Sequence, residues 1–462
     1  MKYVSTRGEA PELAFDDVLL AGLARDGGLY VPSEWPQFSA EDIAAMAGHD
    51  YAGIAYRVIR PFVAGTIPDD DLEEMVRETY AGFGHDAVAP LKQIGANHWL
   101  LELFHGPTLA FKDLALQLVG RMFDFVLSAR GDRVTIVGAT SGDTGSAAIE
   151  ACRDRDNVDI YILFPVGRVS PVQQRQMTTV NSPNVHALAV DGTFDDCQDL
   201  VKAMFADVAF RDQVRLSAVN SINWARIAAQ MVYYATAQAA LAQPIRFVVP
   251  SGNMGDALAG YVAARCGLLT GGLEIVCAVN ENDSLYRVFS SGVMSKAPAV
   301  ATPSPAMDIS IPSNFERLLF EMSGRDSDLV RNLYGQFAQS GEAALPDAVK
   351  SRLGCSGLKA ATVSNADTLE EMCRVERETG WLICPHTAVG THVARSLPEA
   401  DVATVVLATA SPAKFPETVQ EATGRDAPLP DRVQGLRDRG EVFERTEPTL
   451  AAVRQRVEDI TG

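Results

Sequence analysis

The chain has 462 residues, 47% hydrophobic and 21% charged; that is ordinary for a soluble globular protein and too long for one compact core, so two or three domains are expected. With 59 acidic against 40 basic residues the formal charge is −19, which repels nucleic acid and any anionic substrate not met by a local concentration of basic groups and N–H donors. No stretch is apolar enough to span a membrane, the first eight residues hold no apolar signal core, and the seven cysteines lack Cys-x-x-Cys spacing, so a soluble cytoplasmic protein with reduced thiols is expected, with no membrane or nucleic-acid partner.

Residues 1 to about 90 read as a small, mainly helical region punctuated by Asp26-Gly27-Gly28 and Pro32. From about Trp99 short β-branched runs alternate with helical periods, which predicts an α/β fold with mostly parallel sheets covered by helices. Strands are expected at Val134–Val137, Ile160–Phe164, Val185–Val190, Phe247–Val249, Ile275–Val279 and Val402–Leu407, and helices over Ser146–Cys152, Asp196–Phe205 and Ala257–Cys266. Prolines at 298, 303, 305 and 312 break the alternation, so residues from about 290 to 360 are read as an insertion. The expected division is an N-terminal domain over 1–90, a large domain over 91–125 and 226–462, and a small α/β domain over 126–225.

The segment Leu101-Glu-Leu-Phe-His-Gly-Pro-Thr-Leu-Ala-Phe-Lys112-Asp113 runs from a strand through a turn into a helix whose apolar face is Leu114, Ala115, Leu118, Met122 and Phe125. Lys112 therefore stands at the positive end of the helix dipole, where a cation is disfavoured. Either it snorkels to water as an ordinary exposed lysine, or desolvation and the dipole lower its pKa and leave a neutral amine for imine formation. His105, just upstream, either lines a site or stabilises the turn.

Two small-residue turns follow strands and lead into helices: Ala139-Thr140-Ser141-Gly142-Asp143-Thr144-Gly145 and Pro250-Ser251-Gly252-Asn253-Met254-Gly255-Asp256. Each aims backbone N–H groups and a helix N-terminus at one spot, which suits an anion, although a capped strand-to-helix turn needs the same residue types. Neither is a P-loop or a dinucleotide fingerprint. Asn220-Ser221-Ile222-Asn223-Trp224-Ala225-Arg226 offers either an oxyanion clamp or an N-cap with a salt-bridged arginine. Thr409 and Lys414 lie just past the last strong strand, where α/β sheets carry site residues. No metal site is expected, since His386 and His392 are six apart and no Cys or Asp stands at ligand spacing.

Together these elements resemble the threonine synthase family of fold-type II pyridoxal-phosphate enzymes (tryptophan synthase β-like), in its longer microbial and fungal form. The resemblance runs over nearly the whole chain. It is carried by Tyr3-Val-Ser-Thr-Arg-Gly, Asp26-Gly-Gly-Leu-Tyr-Val-Pro, Phe104-His-Gly-Pro-Thr-Leu-Ala-Phe-Lys-Asp, the two glycine loops, Asn220-Ser-Ile-Asn, Pro385-His-Thr-Ala-Val-Gly and Thr409-Ala-Ser-Pro-Ala-Lys-Phe. It implies the conversion of O-phospho-L-homoserine and water to L-threonine and phosphate by γ-elimination and β-addition of water. Pyridoxal 5′-phosphate would be held on Lys112 as a Schiff base, and Lys112 would then shuttle protons at Cα and Cβ. Ser251, Gly252, Asn253, Met254 and Gly255 would take the cofactor phosphate, and Thr409 the pyridine nitrogen.

By the same resemblance Thr140, Ser141, Gly142, Asp143 and Thr144 would receive the substrate carboxylate. Asn220, Ser221 and Arg226 would clamp its phosphate, with Asn253 and Lys414 assisting. A monomer or homodimer is expected. Three positions depart from the family pattern: Met254 replaces a phenylalanine, Ser411 a histidine, and Cys384 an aspartate. Two rivals stay open at this level. One is another enzyme of the fold, such as a threonine or serine dehydratase, which needs no phosphate clamp; the other is a non-catalytic relic.

Overall fold

In the computed structural model the alternation of strands and helices forms two large sheets, beside two separate two-stranded pairs, among the described residues; residues 1–399 and 401–461 are described. The larger sheet has the order Leu358–Thr362, Ile275–Val279, Ile245–Pro250, Ala403–Ala408, His98–Glu102, Leu91–Gly95, parallel except for its last pair. The smaller is parallel throughout, in the order Glu444–Thr446, Val185–Val190, Val158–Pro165, Val134–Ala139, Leu216–Ser217. Parallel neighbours need a crossover, which the intervening helices provide. Ile245–Pro250 and Val158–Pro165 are buried along their whole length, because helices cover both faces of each sheet. The six strands expected from sequence are all present, with ends moved by up to two residues.

Two features differ from the expected division. The N-terminal region shares one continuous core with the rest of the chain: Tyr3, Trp35 and Phe62 pack on Trp224 at ring-centroid distances of 6.2, 5.8 and 6.0 Å. The chain's last strand, Glu444–Thr446, lies on the smaller sheet beside Leu188–Val190, not with the large unit expected over 226–462. The helix Leu450–Thr461 follows it, burying Val453 and Val457 against Cys197, Leu200 and Met204. The last residue of that expected span, Gly462, lies outside the described residues. Of the seven cysteines five are buried, Cys373 is half-buried and Cys355 exposed. Among the described residues no helix is long and apolar enough to cross a membrane.

The insertion forms an antiparallel pair, Val293–Ser295 with Glu342–Ala344, and three helices, the first being Phe315–Ser323. That helix is bolted to the N-terminal motif. Thr6 Oγ1 donates to Glu316 Oε1 at 2.6 Å, and Arg7 Nη2 pairs with Glu316 Oε2 at 2.9 Å. Arg317, almost fully buried, donates to Tyr30 O (3.0 Å), Asn314 Oδ1 (2.6 Å) and Ile222 O (2.6 Å). A guanidinium has five donors in a fixed fork, so it can tie three backbone regions at once. The N-terminal motif thereby fixes the Asn220–Asn223 loop through the insertion.

The helix Lys112–Arg130 ends at Gly131, whose φ of 62° is left-handed and whose N–H returns to Leu127 O. It packs so tightly on the helix Asp143–Cys152 that a Cβ on Gly120 would lie 2.3 Å from Ala151 O. This close approach sets the first turns of the two helices, and so Lys112 and Asp143, opposite one another.

Candidate active site

The loops leaving the carboxyl ends of Val134–Ala139, Ile245–Pro250 and Ala403–Ala408 converge on a cavity of about 1120 Å³. Ligands collect at this end of α/β sheets because strand ends and helix N-termini present free N–H groups there. Lys112, Thr140, Ser141, Asp143, Thr144, Asn220, Ser221, Arg226, Thr409 and the run Ser251–Gly255 all line it. Two expected members do not: Gly142 and Lys414.

Lys112 is only 8% exposed, so the snorkelling alternative is excluded. Its Nζ lies 3.6 Å from Asp143 Oδ2 and 4.6 Å from the centroid of the Phe111 ring. Burial holds its pKa below the usual lysine value; Asp143 opposes this, while Arg226 and Lys414 push the same way. Asp143 is held well below the ordinary carboxylate range: burial alone would raise it, but the charges of Lys414 and Lys112 outweigh burial.

Arg226 is 3% exposed and makes no ion pair among the described residues. Its side chain donates from Nη1 to Val219 O at 3.4 Å, and its Nε is buried without a partner. Burial pushes its pKa down to about 10. The local alternative for this segment is half right. Asn223 caps the helix Trp224–Leu241, accepting from Ala225 N at 3.1 Å, but the arginine forms no ion pair with a carboxylate. A desolvated cation that faces a cavity without an ion pair has the chemistry to receive an anion there.

The two glycine loops are shaped by different devices. In the first, Thr140 Oγ1 accepts from the N–H groups of Gly142 and Gly145, both at 2.9 Å. The threonine hydroxyl therefore organises the turn. Gly142, at φ 133°, is the turn former: a Cβ there would lie 2.4 Å from Gln173 Cδ. Asp143 offers a substrate carboxylate only its backbone N–H, because its side chain is negative and turned to the two lysines. In the second loop Met254, 1% exposed, takes the left-handed conformation at φ 61° and caps the helix Gly255–Arg265. Asn253 Oδ1 accepts from Ser313 Oγ at 3.3 Å, and Asn253 O from Asn314 N at 3.1 Å. Asn314 also donates from Nδ2 to Ser221 O at 3.0 Å, so the insertion joins the two loops.

Lys414 is the clearest correction. Its side chain is fully buried behind Asp143, and its Nζ contacts Asp143 Oδ1 (3.0 Å), Gln176 Oε1 (2.9 Å) and Thr108 O (2.7 Å). An ammonium has three donors, so none is left for a phosphate in the cavity. His105 stays in its turn, 2.8 Å from Glu102 Oε2, and is not part of the cavity wall.

Sequence reasoning missed two cavity residues. His386, weighed only as a metal ligand, stands in the first turn of the helix Pro385–Ser396 and accepts from Ala306 N at 3.2 Å on Nε2. Burial pushes it down to about 4, so it is neutral at physiological pH. Its helix is capped by Cys384, whose Sγ accepts from Thr387 N at 3.4 Å, so the cysteine fills the capping role of an aspartate. Asp256, just after the second loop, accepts from the Tyr233 and Tyr234 hydroxyls at 2.5 and 2.9 Å and leaves Oδ2 unpartnered; burial raises it to about 6. The signal for it was its place in a helix first turn immediately after an anion loop. Among the described residues no group of three or more His, Cys, Asp or Glu could hold a metal ion.

Residues 85–409 match the family of pyridoxal-phosphate dependent enzymes, flanked by the threonine synthase N terminus over 2–80 and the threonine synthase C-terminal region over 387–457. A threonine synthase of Pseudomonas aeruginosa is 52% identical over 448 residues, covering 96% of this chain and 94% of the relative. The chain belongs to the threonine synthase family. Its fold is that of the fold-type II pyridoxal-phosphate enzymes within that family. Among solved structures, a threonine synthase from Brucella melitensis described as PLP bound is similar at a TM-score of 0.96 and 52% identity, covering 100% of this chain and 99% of that one. Threonine synthase from yeast is similar at a TM-score of 0.92 and 36% identity, covering 99% and 98%.

Proposed function

We propose that this protein converts O-phospho-L-homoserine and water to L-threonine and phosphate, the carbon–oxygen lyase step that ends threonine biosynthesis. The observation that carries this reading is Arg226, a buried guanidinium without a carboxylate, opening onto the same cavity as the Lys112 amine. A dehydratase of the same fold has no leaving phosphate to occupy such a group.

The residues present fit pyridoxal 5′-phosphate. Lys112 offers a desolvated amine for its aldehyde. The Ser251–Gly255 loop offers N–H groups to its phosphate and admits no side chain at Gly252, where a Cβ would meet Ile309 Cγ1 at 2.9 Å and Ala306 O at 3.0 Å. Thr409, on the cavity wall, would meet the pyridine nitrogen with a neutral hydroxyl. When bound, the cofactor supplies an electron sink for negative charge at the substrate carbons, moderated by that neutral partner.

The remaining work falls to the chain. Free N–H groups of Ser141, Asp143 and Thr144 at the start of a helix receive the substrate carboxylate. Arg226, with Ser221 and Asn220, holds the phosphate and stabilises charge as the ester bond breaks. Lys112 would take the proton from Cα and move protons at Cβ; burial, by lowering its pKa, favours the neutral amine this needs. His386 keeps residues 305–309 against the cavity, which limits water until the addition step.

Incubating the purified protein with O-phospho-L-homoserine and assaying threonine, phosphate and 2-oxo acid together tests the reading. Threonine and phosphate in equal amounts are expected. A 2-oxo acid with ammonia, or no product, overturns it.

A further inference from the structure

Lys414 is surplus to the phosphate clamp, yet it is the most completely enclosed cation near the site. It lies in the short helix Pro412–Lys414, capped by Ser411, whose Oγ accepts from Ala413 N at 3.3 Å. From there its Nζ crosses the seam between the two sheets to Asp143 and Gln176, and its own carbonyl accepts from Ser170 Oγ at 3.0 Å. Asp143 Oδ1 takes a further bond from Gln173 Nε2 at 2.9 Å, so only Oδ2 is left to face Lys112 at 3.6 Å. One buried carboxylate is thus shared between two buried lysines, with one oxygen committed to each.

We propose that Lys414 is a positioning residue: it holds Asp143 at the seam, and so fixes how much negative charge reaches the amine of Lys112. This rests on the reading of Lys112 as the amine that binds the cofactor. Without Lys414 the whole charge of Asp143 falls on Lys112, which then holds its proton more tightly. Without Asp143, Asp256 alone is left to offset the cations Arg226 and Lys414, and Lys112 releases its proton more easily. A purely structural role for Lys414 would not give shifts of opposite sign.

The groups that face Lys112 are Asp143, Arg226, Asp256, His386 and Lys414. His386, at about 4, and Asp256, at about 6, have largely finished titrating by pH 7, and Arg226, at about 10, has barely begun by pH 9. A change between pH 7 and 9 therefore reports the Lys112 nitrogen.

The test is a pH titration of the visible absorption of the cofactor linked to Lys112 in the intact holoenzyme, for the parent, Lys414→Met and Asp143→Asn. The midpoint should rise in Lys414→Met and fall in Asp143→Asn, each by about one pH unit or more. A Lys414→Met midpoint equal to the parent's, or two shifts of the same sign, overturns the proposal. If Lys414→Met does not fold, Lys414→Gln, which removes the charge but keeps a donor, is judged by the same criterion. A parent without visible absorption removes the Lys112 reading, and the proposal with it, and is distinguished by that from a failed shift.

Discussion

Replacing Arg226 with methionine separates binding of the leaving group from folding, because the two respond in opposite directions. Two charge-assisted hydrogen bonds to a phosphate contribute about 1.5–3 kcal/mol each. Their loss at the transition state lowers kcat/KM for O-phospho-L-homoserine by about 10² to 10⁴-fold. The free protein should not suffer. The guanidinium falls from 12.5 to about 10 on burial, a difference of roughly 2.5 pKa units or about 3 kcal/mol. For a base with a lowered folded-state pKa this penalty acts in full at every pH below both values, so it is fully present at neutrality; it fades as pH rises past about 10 and is gone at the unfolded pKa. Methionine removes the penalty and keeps much of the packing. Steady-state kinetics and ligand-free urea denaturation at pH 7.5 should therefore show a large loss of kcat/KM with no loss of stability. A kcat/KM within about threefold of the parent refutes the reasoning, since that is under 1 kcal/mol.

Other perturbations have comparably definite signs. Asp256 is raised from 3.8 to about 6 in the folded protein, so its contribution to stability is full below the unfolded pKa and is lost as pH rises through 6, by about 3 kcal/mol in all. Asp256→Asn should therefore lose less stability than the parent between pH 5 and 8 in urea titrations; parallel losses would contradict it. Asp113, also raised to about 6 by burial, adds to the parent's decline in the same window and remains in the variant. Gly120→Ala drives a Cβ into Ala151 O and should destabilise the chain by about 1–3 kcal/mol or more, read as a lower denaturation midpoint; an unmoved midpoint would show that the two helices can separate freely. Gly252→Ala presses on Ile309 and Ala306 and should weaken cofactor retention about tenfold, near 1.4 kcal/mol, by equilibrium dialysis; unchanged retention would mean the 305–309 segment yields.

The parallel α/β architecture was legible because β-branched runs such as Ile275–Val279 and Val185–Val190 carry their own period, and Lys112 was legible because a cation at a helix start beside apolar residues is locally costly. Glu444–Thr446 is three residues with two exposed charged side chains; nothing in so short a run announces that it will extend a sheet more than 200 residues earlier in the chain. The Lys414 reading failed for a related reason. Its motif lies beside the site in sequence and space, but its acceptors, Thr108, Asp143 and Gln176, come from three distant segments, and only their convergence reveals that its donors are spent. Arg226 shows the reverse case: a missing carboxylate cannot be read from neighbours along the chain. The spacing of His386 to His392 speaks only to a metal and says nothing of a neutral ring accepting from Ala306.

Reduction of the holoenzyme with sodium borohydride, followed by peptide mapping, tests the role of Lys112 most directly. One pyridoxyl group per chain on Lys112, and none in Lys112→Ala, is the expected result. Label on any other lysine, Lys414 included, or no label at all in the parent, would contradict it.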